Sequence, residues 1–243
     1  VAVYSSGLAP AELCYVRVLL LRHDRGSCRV LIRELYEVEL RCCPHDDLFG
    51  KPRGVHHDDR QTICLNAICN EGDEVIALAP FFPEYRVFVE KAGAKLVVAK
   101  CRESDFQIDF AALENAITKN TKAIIVNSPN NPTGVVLSKD TIVKLVSLLN
   151  KKQAEFGKRI FIICDEPYRE LVYNNIKVPY IMNYYDNSVV CYSYSKSLSL
   201  PGERIGYIAV NPKATESKDI YFAICGAGRS LGYVCAPSLF QKV

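Results

Sequence analysis

The sequence lacks the features that mark several classes of protein. Its 243 residues carry a formal net charge of +3, so no excess of one sign argues for binding to nucleic acid or to a membrane surface. The eleven cysteines include no Cys-x-x-Cys pair, and without a secretory signal they predict reduced cytoplasmic thiols rather than a disulfide framework. The apolar run at 15–21 is too short for a membrane span, and Arg17 interrupts it.

The basic residues divide the chain into two parts. Residues 1–60 hold eight arginines, one lysine and all four histidines, whereas residues 61–243 hold six arginines and fifteen lysines. We therefore expect residues 1–60 to be a foreign or irregular segment, with a short helix at 29–40 and a loop at 41–60. The chain begins with Val1 rather than Met, and we expect it to be processed or incomplete, without a targeting segment.

A metal site is not predicted. The candidate ligands are two adjacent cysteines and three histidines, whose spacing matches no zinc pattern. They are Cys42, Cys43, His45, His56 and His57.

From residue 61 onwards, short apolar strands alternate with helices. The predicted strands are 74–79, 95–99, 122–126, 159–164, 188–192 and 208–210, and the helices between them include 84–92, 109–117 and 138–156. Asp109 and Ser138 are suited to cap the N-termini of the last two helices. Strands that are continuously apolar predict an α/β fold, a mostly parallel sheet with helices on both faces.

Three polar clusters follow predicted strands. They are the loop at 127–134, the segment Asp165-Glu166-Pro167-Tyr168, and the stretch at 193–207 that contains Lys196. Each has an ordinary explanation: a turn, an N-cap for a short helix, and a lysine that reaches solvent from a loop. In folds of this class, however, ligands bind where parallel strands end.

Together, the clusters suit a pyridine-type cofactor that carries a phosphate. Lys196 can form a Schiff base, and Asp165 can keep a ring nitrogen protonated. Arg204 and Ser193 can bind a phosphate. A carboxylate after so apolar a strand needs a cationic or proton-donating partner.

Three motifs resemble a known family. Asn-Pro-Thr-Gly, Asp-Glu-x-Tyr and Ser-x-Ser-Lys-x-x-x-x-x-Gly-x-Arg-x-Gly occur in this order, as in the fold-type I aminotransferases that use pyridoxal 5′-phosphate. The nearest branch is class I/II, which includes aspartate aminotransferase. The resemblance covers residues 61–241. It implies a cytoplasmic, homodimeric enzyme that transfers an amino group from an amino acid to a 2-oxo acid.

The resemblance also implies roles for individual residues. Lys196 would be the Schiff-base lysine and proton shuttle, and Asp165 would pair with the pyridinium nitrogen. Asn131 and Tyr168 would hydrogen-bond the 3′ oxygen, and Phe82 would stack on the ring. A separate set would bind the phosphate: Ser193, Ser195 and Arg204. A cis peptide bond is expected before Pro132.

The sequence departs from the family pattern at its edges. The family binds phosphate with a turn of small and hydroxyl residues before a helix, but residues 57–64 contain no such turn, and Asp58 and Asp59 would repel a phosphate. We expect residues 61–243 to be a partial cofactor-binding domain that lacks the smaller C-terminal domain, with activity impaired. The alternatives are a carbon–sulfur β-lyase of the same fold and a non-catalytic remnant.

Overall fold

One sheet organises the part of the chain that is described. The computed structural model describes residues 17–20, 59–233 and 239. Within these residues, the strands are β1 (Arg17–Leu20), β2 (Glu74–Ala79), β3 (Lys95–Lys100), β4 (Thr121–Asn127), β5 (Phe161–Asp165), β6 (Ser188–Ser193) and β7 (Gly206–Val210). The helices are α1 (Asp59–Ile68), α2 (Tyr85–Lys91), α3 (Phe110–Ala116), α4 (Lys139–Phe156), α5 (Tyr194–Ser197) and α6 (Ser217–Ser230).

The strand order is β1-β7-β6-β5-β4-β2-β3. All neighbouring strands in the described sheet run parallel except β6 and β7, which are antiparallel. The prediction of a mostly parallel sheet is confirmed. Residues 194–205, which include α5, connect the antiparallel pair.

The sheet separates two apolar layers, because successive side chains of a strand point to opposite faces. On β4, Ile125 packs in the layer that contains Ile63 of α1 and Ile224 of α6. Its neighbour Ile124 packs in the other layer, with Leu145 of α4. Helices therefore cover both faces of the sheet, as the apolar strands predicted.

Helix boundaries follow local capping chemistry. The Asp109 side chain accepts hydrogen bonds from the backbone N–H groups of Ala111 and Ala112, at the start of α3. The Ser138 side chain accepts one from Thr141 N at the start of α4, which ends at Gly157 in the left-handed region. Both predicted N-caps are confirmed.

Some local predictions differ from the structure. Residues 59 and 60 were predicted as loop, but they begin α1. Lys196 was predicted to lie on a loop, but it lies in α5, a single helical turn that Ser193 caps. The predicted helix at 29–40 and the rejected metal ligands lie outside the described residues.

Residues 1–60 contribute β1, which pairs with β7. The separate origin of this segment stays a prediction. Within the described ranges, no helix is both long and apolar enough to cross a membrane.

A stability prediction follows from the packing of α4. Leu145 is fully buried, whereas Val143 on the same helix is 48% exposed. We expect Leu145→Ala to lower the free energy of unfolding by about 2–5 kcal/mol, because it leaves a cavity beneath the sheet. Val143→Ala should change it by less than about 0.5 kcal/mol. Urea denaturation of the two variants measures both, and equal effects would contradict the packing of this layer.

Candidate active site

The ends of β4, β5 and β6 bring polar groups to one edge of the sheet. Asn127 lies opposite Asp165 in the β4–β5 register, and Asp165 lies opposite Cys191 of β6. Because β6 and β7 are antiparallel, Ser193 at the end of β6 lies opposite Gly206 at the start of β7. The segments that follow β4, β5 and β6 and the one that precedes β7 therefore meet at this edge.

Asp165 is held by two neighbours. Its side chain accepts a 2.5 Å hydrogen bond at Oδ2 from the hydroxyl of Tyr85, and its backbone carbonyl accepts one of 2.9 Å from Asn127 Nδ2. Asp165 and Tyr85 are 6% and 2% exposed. Tyr85 is thus the proton-donating partner that a carboxylate at the end of an apolar strand was expected to need. A turn follows Asp165 rather than a helix, so the alternative of an N-cap is wrong.

The loop after β4 is fixed by its own amides. The backbone N–H of Asn131 donates a 2.7 Å hydrogen bond to Asn127 Oδ1. The Asn131–Pro132 peptide is cis, as expected, and so is Ser128–Pro129. These contacts place Asn131 beside the end of β5.

Lys196 lies next to the side chain of Tyr168. Its Nζ is 5.9 Å from the centre of the Tyr168 ring. The Ser193 hydroxyl caps α5 by accepting a 3.1 Å hydrogen bond from Ser195 N, and it donates one of 2.8 Å to Ser195 Oγ. The turn therefore orients the lysine and both serines as one unit.

The last part of the motif is shaped by backbone contacts. Arg204 has a φ of +50°, in the sparsely populated left-handed region, and its Nη1 donates a 3.1 Å hydrogen bond to the carbonyl of Pro201. A Cβ atom on Gly206 would lie 2.2 Å from the carbonyl oxygen of Tyr192. The motif thus needs glycine at 206 because β6 and an arginine side chain approach it too closely for any other residue.

These groups surround one cavity of about 240 Å³. All eight residues predicted to bind the cofactor line it: Phe82, Asn131, Asp165, Tyr168, Ser193, Ser195, Lys196 and Arg204. Five further residues line it that the sequence did not single out as site residues: Arg60, Glu84, Asn127, Pro167 and Pro201. The individual roles stay predictions, but the structure brings the eight side chains together.

Three of the residues that sequence reasoning missed are polar groups outside the three motifs. Arg60 was assigned to a loop, and Tyr85 and Glu84 follow the aromatic pair after β2. The Oε2 atom of Glu84 is buried and, among the described residues, has no hydrogen-bond partner. One signal in the sequence could have identified Glu84 and Tyr85 as site residues. They are two adjacent polar residues that closely follow the aromatic residues at the end of a strand.

Glu166, the buried residue that follows Asp165, is paired. Glu166 accepts a 2.6 Å ion-pair contact from Arg169 Nε, and the Arg169 guanidinium lies 4.9 Å from the centre of the Tyr180 ring. Burial raises the pKa of Glu166, and Arg169 opposes that shift.

On the neighbouring strand, a hydrogen bond with Cys64 and burial raise the pKa of the Cys191 thiol well above its usual value. Cys191 is therefore a neutral core group, not a nucleophile.

Known proteins are similar to this part of the chain. Residues 59–231 match the family model for aminotransferase class I and II. An amino transferase from Eubacterium rectale has a structure with a TM-score of 0.75 and 58% sequence identity, over 76% of this chain and 47% of that one.

Curated relatives match the same region. A probable N-acetyl-LL-diaminopimelate aminotransferase from Bacillus subtilis is 34% identical over 73% of this chain and 42% of its own length. An aspartate aminotransferase from the same organism is 39% identical over 60% of this chain and 37% of its own length.

The chain thus spans about two fifths of the length of the curated relatives it matches. The family match begins at the first residue of α1 and ends one residue after α6. It includes all eight predicted site residues and the cavity that they line. The chain therefore belongs to the aminotransferase class I and II family, whose members are enzymes that depend on pyridoxal phosphate.

Proposed function

We propose that this chain forms the cofactor-binding part of a pyridoxal-phosphate-dependent aminotransferase. The enzyme would transfer an amino group from an amino acid to a 2-oxo acid. The observation that carries the proposal is the shared cavity, in which a lysine and a buried carboxylate stand together with two serines and an arginine. Such a set combines a covalent attachment point with partners for a ring nitrogen and for a phosphate.

The residues present fit this cofactor. Asp165 can accept a hydrogen bond from a ring nitrogen, while Tyr85 holds its Oδ2 oxygen. Phe82 lines the same cavity and can stack on an aromatic ring through its π face. Ser193, Ser195 and Arg204 supply two hydroxyls and a guanidinium for a phosphate.

Each of these side chains would have a separate role in the reaction. Lys196 would hold the cofactor through its Nζ and, when free, would move a proton to and from the substrate's Cα. Asp165 would keep the ring nitrogen protonated. Asn131 and Tyr168 would donate hydrogen bonds to the 3′ oxygen. When bound, the cofactor supplies an electron sink for the negative charge that develops at Cα.

We propose a homodimer for the complete protein. Leu171, Tyr173 and Ile176 are large apolar side chains that are exposed in the described part of the chain. Together they line a recess of about 450 Å³ next to Asn131 and Tyr168. An exposed apolar group of this kind is typical of a protein interface.

We also propose a cytoplasmic location. The six cysteines in the described ranges are all free thiols, as is typical of proteins from reducing compartments.

Covalent trapping tests the role of Lys196. We expect pyridoxal phosphate followed by borohydride to leave a stable adduct on Lys196, located by peptide mass spectrometry, because the amine faces the cavity. Lys196→Ala should abolish the adduct, whereas Lys218→Ala, which removes an exposed lysine of α6, should retain it. An unmodified Lys196 in the parent chain would contradict the proposal.

Product analysis then separates amino transfer from the β-lyase alternative. An aminotransferase converts an amino acid to its 2-oxo acid and leaves the amino group on the cofactor. A lyase instead releases pyruvate from cystathionine. Pyruvate without amino transfer would replace the proposed activity.

The Tyr85 hydroxyl gives a second prediction. Removing it in Tyr85→Phe leaves the buried Asp165 carboxylate without this donor, so we expect the affinity for pyridoxal phosphate to fall roughly tenfold or more. The pH at which the absorbance of the bound cofactor changes should also shift, because the Asp165 carboxylate, which would pair with the ring nitrogen, has lost a hydrogen bond. Equilibrium dialysis and absorbance measure the two effects.

Tyr184→Phe is the matched control, because this substitution removes the same hydroxyl group from a residue that does not line the cavity. If Tyr85→Phe bound the cofactor like the control, with the same pH titration, Tyr85 would have no positioning role toward Asp165.

A further inference from the structure

Arg60 brings a second guanidinium into the cavity. It lies in the first turn of α1, it is 4% exposed, and it lines the same cavity as Ser193, Ser195 and Arg204. The same cavity is also lined by Asp165 and Glu84. Two guanidinium groups and two hydroxyls are the donors that an anion needs.

Packing against the start of β7 fixes the position of Arg60. Its Nη1 donates a 3.4 Å hydrogen bond to the carbonyl of Ile205, one residue after Arg204. A Cβ atom on Gly206 would lie 2.3 Å from the same Nη1, so the glycine leaves the space that the guanidinium fills. The side chain is therefore held in place by the start of β7 and by the segment before it, which carries Arg204.

We propose that Arg60 is a second cationic ligand of the cofactor's phosphate, in place of the turn of small and hydroxyl residues that residues 57–64 lack. The inference rests on the proposed function, because it presupposes that the cavity binds pyridoxal phosphate. A phosphate monoester carries a charge of about −1.5 to −2 near pH 7. One arginine neutralises only part of that charge, whereas Arg60 and Arg204 together match it. The planar guanidinium can bind two phosphate oxygens while keeping its bond to a carbonyl.

In the sequence, Arg60 directly follows Asp58 and Asp59, and its positive charge opposes the repulsion that these two carboxylates would exert on a phosphate. The start of α1 adds a further favourable contribution, since backbone N–H groups and the helix dipole stabilise an anion near a helix N-terminus.

Comparing two ligands tests the inference. Pyridoxal phosphate and pyridoxal differ only in the phosphate group, so the ratio of their dissociation constants measures the contribution of the phosphate site. We expect Arg60→Gln to weaken binding of pyridoxal phosphate roughly tenfold or more, the scale of a hydrogen bond to a charged group, and to leave binding of pyridoxal unchanged. Equilibrium dialysis measures both constants.

Arg86→Gln is the matched control, because Arg86 is exposed on α2 and pairs only with Glu90 among the contacts that the structure describes. It should keep the full preference for the phosphorylated ligand. Equal weakening of both ligands by Arg60→Gln would assign Arg60 a structural role and overturn the inference. Unchanged binding of both would overturn it too.

Arg60→Lys is a second variant, which keeps the test valid if Arg60→Gln does not fold. It keeps the charge and most of the aliphatic stem but loses the planar fork, so we expect a smaller loss of the preference for pyridoxal phosphate. An unchanged preference in whichever variant folds overturns the inference. If the parent chain bound neither ligand, the proposed function itself would fail, which is a distinguishable result.

Discussion

The alignment of β4 with β5 is the constraint on which the site depends. Parallel pairing in this register places Asn127 directly opposite Asp165, and the Asn127 side chain bonds both to the Asp165 carbonyl and to the Asn131 backbone. A shift of one residue would turn the carboxylate to the other face of the sheet. The apolar layers on both faces prevent such a shift, because every buried side chain of these strands would move with it.

Burial of Asp165 makes its partners important. A carboxylate this far from water is costly unless it is hydrogen-bonded, and the Tyr85 hydroxyl meets that need from the segment after β2. The same tyrosine packs against Phe82, with ring centres 5.8 Å apart. One short segment therefore supports both the carboxylate and the aromatic wall of the cavity.

The antiparallel β6–β7 pair shapes the end of the cavity that we propose to bind an anion. Because β7 returns beside β6, the serines at the end of β6 and just after it and the arginine that precedes β7 meet at one place. Gly206 is compatible with two close neighbours there, a carbonyl of β6 and the guanidinium of Arg60. Arg60 lies in the first turn of α1 and lines the cavity at this place. The helix therefore contributes a positive charge to the cavity as well as packing to the core.

Several features could be predicted from the sequence alone. The apolar strands, the caps Asp109 and Ser138, and the motifs around Asn131, Asp165 and Lys196 are local patterns, and each reflects the chemistry of a few adjacent residues. Those motifs also follow strands, which placed them at one edge of a parallel sheet.

Other features depended on the tertiary structure. The hydrogen bond from Tyr85 to Asp165 joins residues 80 positions apart, and the contact of Arg60 with Ile205 joins residues 145 positions apart. No local pattern encodes such pairs, because they arise only when strands and helices pack. The sequence by itself thus determined the fold class and the motif residues, whereas packing decided which further side chains reach the cavity.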